Sequence, residues 1–126
     1  MNSEVLKTRT KRFALSVIEL TALLPNNRVG WTFTGQIVRS ATSIAANYRA
    51  VCRAKSDKDF VSKMETVIEE ADETKFWLEM IEESNVLKEG AGMVSLLNSE
   101  ANELVSIFVS SVKTVKRRMQ SDSGKS

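Results

Sequence analysis

The chain contains no histidine among its 126 residues, and this removes the commonest general base and metal ligand from any proposed chemistry. Cysteine occurs once, as Cys52, so no intramolecular disulfide framework exists and a reducing, cytoplasmic setting is expected. Proline also occurs once, at Pro25, and glycine five times, which leaves long stretches free to run as helix. No apolar run approaches the roughly 18–20 residues of a membrane span. The first dozen residues are polar and lack the apolar segment of a signal peptide. No glycine-rich phosphate loop is present, since Gly30 and Gly35 are too sparse to form one. Di-iron bundles require Glu-x-x-His on two helices, and neither copy exists here. Cys52 has no histidine to activate it and reads as a small packing residue. No cofactor, no metal and no catalysis are expected.

What is present is helical periodicity. The spacing predicts a first helix from about Ser3 to Leu24, with Leu6, Phe13, Val17, Leu20 and Leu24 on one stripe, ended by Pro25-Asn26-Asn27. A second helix is predicted over roughly Trp31 to Ala54. Its inward stripe, Phe33, Ile37, Ser40, Ile44, Asn47 and Val51, includes two polar residues that would each need a hydrogen-bond partner. Ser56-Asp57-Lys58-Asp59 has the form of an N-cap followed by an acid at the third helical position. The third helix runs from there to about Ser84 on Phe60, Met64, Val67, Ala71, Thr74, Leu78 and Ile81. Asn85 to Gly92 is expected as loop. The fourth helix covers about Met93 to Met119 on Val94, Leu97, Ala101, Leu104, Phe108, Ser111 and Val115. Heptad spacing and short connections predict an all-α, antiparallel up-down-up-down four-helix bundle spanning residues 1–120, with 121–126 as a disordered tail.

The apolar faces are broader than these seams. Val61, Ile68, Phe76, Trp77 and Met80 flank the third helix's stripe, and Leu96, Val105, Ile107, Val109 and Val112 the fourth's. Either a small bundle buries more of each helix, or another molecule covers the surplus. Small residues along the second helix, above all Ala41, Ala45 and Ala46, would let a neighbouring helix approach closely, so an oligomer interface is expected there.

Charge placement is the other signal, concealed by a net charge of +2. No acid occurs between Glu19 and Asp57, whereas Glu65 to Glu83 holds eight acids against Lys75 alone. Folded as expected, Lys7, Arg9, Lys11, Arg12, Arg49, Arg53, Lys55, Lys113, Lys116, Arg117 and Arg118 would gather at one pole, with Lys58 and Lys63 beside them. Glu79, Glu82, Glu83, Glu89, Glu100 and Glu103 would occupy the other. Cations at helix C-termini complement the helix dipole, which accounts for Lys113 to Arg118 and for Arg53 to Lys55. Lys7, Arg9, Lys11 and Arg12 sit at a helix N-terminus and have no such explanation. A pole that attracts phosphate backbones without reading sequence is the functional alternative.

Phe13-Ala14, Leu24-Pro25 and the run Gly35-Gln36-Ile37-Val38-Arg39-Ser40-Ala41-Thr42-Ser43-Ile44-Ala45-Ala46-Asn47-Tyr48 resemble the bacterial four-helix-bundle proteins encoded in 23S rRNA intervening sequences. Asp59-Phe60, Glu69-Glu70-Ala71-Asp72-Glu73-Thr74, Trp77-Leu78-Glu79 and Glu100-Ala101-Asn102-Glu103-Leu104 extend the resemblance from about Thr10 to Arg118. The resemblance implies a bundle assembled as a homopentameric ring. A related branch, the accessory variability protein of diversity-generating retroelements, is similar in fold. It implies RNA or DNA as a partner, together with a protein partner such as a reverse transcriptase. Two functions are therefore expected: a non-enzymatic oligomeric accessory protein binding structured RNA or RNA/DNA through the basic pole, or a protein-interaction scaffold ring without intrinsic nucleic-acid binding.

Overall fold

A computed structural model describes residues 2–124 as four helices: α1 (Ser3–Thr21), α2 (Arg28–Val51), α3 (Asp57–Glu83) and α4 (Ala91–Gly124). Packing joins α1 to α2, α2 to α3, α3 to α4 and α4 back to α1, while the diagonals α1–α3 and α2–α4 do not meet. The helices therefore stand at the corners of a square. The α1–α4 seam is the sparsest of the four.

Each boundary has a local cause. Asn2 caps α1 by accepting the Val5 N–H at 2.9 Å. The helix stops at Thr21, short of the expected Leu24, because the chain tightens there: Leu23 and Leu24 N–H donate to carbonyls three residues back. Asn27 does more than terminate α1. Its side chain accepts the Gly30 N–H at 3.0 Å, so α2 begins at Arg28, one turn earlier than the apolar spacing suggests. A side chain at position 30 would collide with the Pro25 carbonyl oxygen, so the turn closes only around glycine. At the start of α3, Ser56 Oγ accepts the Asp59 N–H at 3.0 Å, and the Asp59 carboxylate accepts the Lys55 N–H at 3.1 Å. This is the reciprocal cap that the sequence suggests, displaced by one residue. Asn85, at φ 56°, takes the left-handed conformation that ends α3. The expected tail is corrected: residues 121–124 continue α4, for nothing before Gly124 breaks the helix and Asp122 stands one turn from Arg118. Residues 125–126 lie outside the described residues.

The core follows the expected stripes with one systematic shift. Leu6, Phe13, Val17 and Leu20 of α1, Ile37 and Ile44 of α2, Met64 to Ile81 of α3, and Val94 to Phe108 of α4 are buried. Three expected core positions move by one residue: Tyr48 is buried instead of Asn47, Val61 instead of Phe60, and Val112 instead of Ser111. A period of 3.6 residues falls between spacings of three and four, and at each of these positions the residue one place further along takes the inward side, while Val51 and Val115 beyond them stay buried. Asn47 is half-buried and its amide donates to the Ser43 carbonyl at 2.8 Å. Ser40 is fully buried, as expected. Its hydroxyl and that of Thr74 meet at 2.8 Å across the α2–α3 seam, with the Ile37 and Glu70 carbonyls at 3.3 and 2.9 Å. With one proton apiece, one hydroxyl bonds its neighbour while the other closes on a carbonyl, so neither is left unpaired.

Of the surplus apolar residues, Val61 and Val112 belong to the core; Ile68, Trp77, Val105, Ile107 and Val109 are half-buried. Phe76, Met80 and Leu96 stay exposed. Trp77 is wedged between Phe33 (ring centroids 6.0 Å) and Phe76 (4.9 Å, edge-on), forming an aromatic string over the α2–α3 seam. No helix among the described residues is long and apolar enough to cross a membrane.

Candidate nucleic-acid interface

The expected basic pole divides into two clusters, because the four helices differ in length. At 1.5 Å per residue, α4 extends about 50 Å and α1 only about 28 Å. Arg9 fixes their relative height. Its guanidinium donates to Glu100 in a two-point pair, 2.7 Å on each arm, and lies 2.9 Å from Glu103. The placement of these two acids at the opposite pole is thereby corrected: they face the first half of α1. The hydrogen bonds that Arg9 donates to Glu100 raise its pKa far above the ordinary guanidinium range, against the smaller effect of burial. Arg9 is committed to joining α1 and α4.

Arg117 stands fourteen residues beyond Glu103, about 20 Å further along α4, whereas α1 has only six residues left below Arg9. The α4 cations therefore project past α1 and meet the start of α3. Arg118 donates to both Asp57 oxygens at 2.8 and 3.2 Å, and Lys116 lies 3.5 Å from Glu65. Asp57 is held below the usual carboxylate range by the Arg118 hydrogen bond, and Asp59 by Lys63, 2.5 Å away, and by the Lys55 N–H. Lys113, Arg117, Arg53 and Lys55 form no side-chain ion pair among the described residues. They surround this end as solvated charges.

The second cluster is a cleft between α1 and α2, of about 340 Å³. Lys7, Thr8 and Lys11 form one wall, and Ala45, Ala46 and Arg49 the other. These residues are brought together by helical spacing alone. Lys7 and Lys11 are one turn apart on α1, as Ala45 and Arg49 are on α2. The small side chains leave room between the walls, and no acid lines it. Lys7 reaches Glu4 at 3.2 Å, an exposed pair of small energetic weight; Lys11 and Arg49 have no ion pair among the described residues. Arg12 points to the other side of α1, toward α4.

The expected oligomer surface changes accordingly. Ala41 is completely buried within the chain's own core and cannot meet a neighbouring subunit, since it lies on the same inward stripe as Ile37 and Ile44. Ala45 is half-buried and Ala46 exposed, and both belong to the cleft floor. Sequence reasoning missed a further feature, a groove of about 730 Å³ along the sparse α1–α4 seam. Its only signals in the sequence were Leu96 outside the α4 stripe and Val5 outside the α1 stripe.

Comparison with known proteins places this geometry in a family. A crystal structure of a protein with unknown function, from the S23 ribosomal protein family of Bacteroides thetaiotaomicron, superposes with a TM-score of 0.79 at 30% sequence identity. The match covers 90% of this chain and 99% of that one. No curated protein matches. The family model described as 23S rRNA-intervening sequence protein matches residues 2–110, which take in the α1–α2 cleft, the buried Ser40–Thr74 pair and the Arg9 clamp. With nearly the whole bundle inside that match, the chain belongs to the family of 23S rRNA-intervening sequence proteins.

Proposed function

We propose that the protein is a non-enzymatic, self-associating accessory protein that binds the phosphate backbone of structured RNA, or of RNA/DNA, through the α1–α2 cleft. The observation that carries this reading is the convergence of Lys7, Lys11 and Arg49 on a cleft with small-residue walls and no acidic lining. Lys7 and Lys11 lie past the first turn of α1, where the helix dipole neither favours nor disfavours a cation, so the dipole does not account for their placement. A phosphate strand does, through counterion release and without base readout. A ring, the assembly implied by resemblance, would repeat the cleft around its circumference and raise avidity without new contacts. Lys113, Lys116, Arg117, Arg118, Arg53 and Lys55 would then act as a second, more diffuse track at the far end of α4.

The scaffold reading is favoured by a different observation, the exposed Phe76 and Met80 on α3 among acids, a surface suited to a protein partner such as a polymerase. One experiment separates the two. Electrophoretic shift with a structured RNA across a salt series should show a steep negative slope for the parent. The Lys11→Ser/Arg49→Ser variant should bind unrelated RNAs more weakly by a similar factor, with the slope reduced by up to about two phosphate contacts. Binding of unaltered strength and slope would remove the cleft from consideration and leave the scaffold reading in front.

A further inference from the structure

The surface that begins at the α1–α2 cleft does not end with its cations. On α1, Leu15 and Ile18 follow Lys7 and Lys11 at helical spacings of four and three, so they continue the same face, and both are exposed. On α2, Trp31 precedes Arg49 by eighteen residues, about five whole turns, so the two point in one direction about 27 Å apart. Between them this side of the helix is low, with Gly35, Thr42 and Ala46 exposed, and the 24 residues of α2 include no acid. Trp31 is 62% exposed, and its indole N–H donates to Asn26 Oδ1 at 2.8 Å. That bond pins the ring edge and uses its one donor, so what the indole offers outward is its apolar face. Arg28, one turn before Trp31, stands in the first turn of α2, where the helix dipole disfavours a cation, and it forms no ion pair among the described residues.

We propose that this surface holds unpaired nucleotides of the RNA strand seated in the cleft, with one base stacked on Trp31 and a phosphate beside Arg28. The inference rests on the cleft reading of the proposed function and names the kind of RNA it takes: one with a single-stranded segment next to a stem. The chemistry changes along the surface as such a strand requires. Lys7, Lys11 and Arg49 meet phosphates at one end, and Leu15, Ile18 and Trp31 meet base faces at the other. A paired strand keeps its bases stacked inside the duplex and would leave the indole uncovered. At about 3.4 Å per stacked nucleotide, about eight nucleotides span the distance from Arg49 to Trp31, within the range of single-strand sites. An apolar protein surface would cover Trp31 but leave Arg28 beside it without an anion, whereas a nucleotide supplies both base and phosphate.

The test compares a blunt RNA hairpin with the same hairpin carrying about twelve unpaired adenosines at its 5′ or 3′ end. The parent should bind a tailed form more tightly than the blunt one. Trp31→Ala should remove that preference, weakening tailed-RNA binding by about five- to 150-fold while leaving the blunt hairpin unaffected. Trp31→Phe should keep most of the preference, and Lys11→Ser/Arg49→Ser should weaken both RNAs alike. Fluorescence gives a second readout, because Trp31 and Trp77 are the only tryptophans. Tailed RNA should quench the parent's emission, blunt RNA should not, and Trp31→Phe should lose the quench. This readout decides the matter if far-UV circular dichroism shows that Trp31→Ala has lost helicity. A parent that binds blunt and tailed RNA equally overturns the stacking site and leaves the cleft reading standing. So does a folded Trp31→Ala variant that keeps the preference or loses affinity for both RNAs alike. A parent that binds neither RNA overturns the cleft reading as well.

Discussion

Ser40 and Thr74 show how a bundle can tolerate polarity at its centre. Their hydroxyls are buried, yet each has a partner in the other and a carbonyl within reach on its own helix. A buried hydrogen bond of this kind contributes about 1 kcal/mol net, and an orphaned hydroxyl costs about 1–3. Ser40→Ala and Thr74→Val should therefore each lower stability by about 1 kcal/mol. The double variant should cost less than the sum, by about 0.5–1 kcal/mol, since the shared bond is lost only once. Strict additivity in chemical denaturation would show that the two hydroxyls act independently. Tyr48, stacked on Phe108 at 5.9 Å, has its phenol pushed up to about 12 by burial first and by neighbouring Cys52 second. An acid with a raised folded pKa adds stability that is complete below its unfolded value, about 10, and is lost as pH rises through 12. Spectroscopic titration should find no tyrosinate near pH 10 while the protein is folded, and stability should decline between about pH 10 and 12. A phenol titrating at about 10 in the folded protein would contradict this burial. The buried pair was legible in the sequence, because Ser40 and Thr74 interrupt otherwise apolar stripes. Tyr48 was not, since a strict count favours Asn47, and only the true 3.6-residue period brings the aromatic inward.

At the level of elements, the four helices were legible because their boundaries are chemical. Pro25, the Ser56 cap and Asn85 each act within a few residues of themselves. The far end of α4 was not, because helix there depends on the absence of a breaker. That end also has little to rest on. After Val115 the inward residues run out, with Met119 only half-buried, and the remaining support is the exposed Arg118–Asp57 pair and Lys116 near Glu65. Exposed ion pairs contribute between nothing and about 1 kcal/mol. Amides from Met119 to Asp122 should therefore exchange through local fraying with an opening free energy near zero, whereas those from Leu97 to Val112 should require global unfolding. Equal protection along α4 in native-state hydrogen exchange would mean that something else holds its end.

For the whole molecule, charge along the chain could be read from the sequence, but charge across it could not. The acid-free stretch before Asp57 did foretell the cleft's character, since Arg49 lies within it. The pairing of Arg9 with Glu100 and Glu103 depends on how far α4 slides past α1, which no local pattern encodes. The groove escaped notice for the same reason: a sparse seam is a property of two helices together. What aligns these surfaces is the turn at Pro25, where position 30 has room for a hydrogen atom and nothing larger. Each residue added to a helix rotates everything beyond it by about 100°. One residue gained or lost inside α2, between Gly30 and Ser40, would swing Arg49 off the cleft and Ser40 away from Thr74 in the same movement. The turn thus works as an angular stop for the hairpin. The number of residues from that stop to Ser40 and Arg49 is constrained more tightly than most of the surface chemistry it serves to aim.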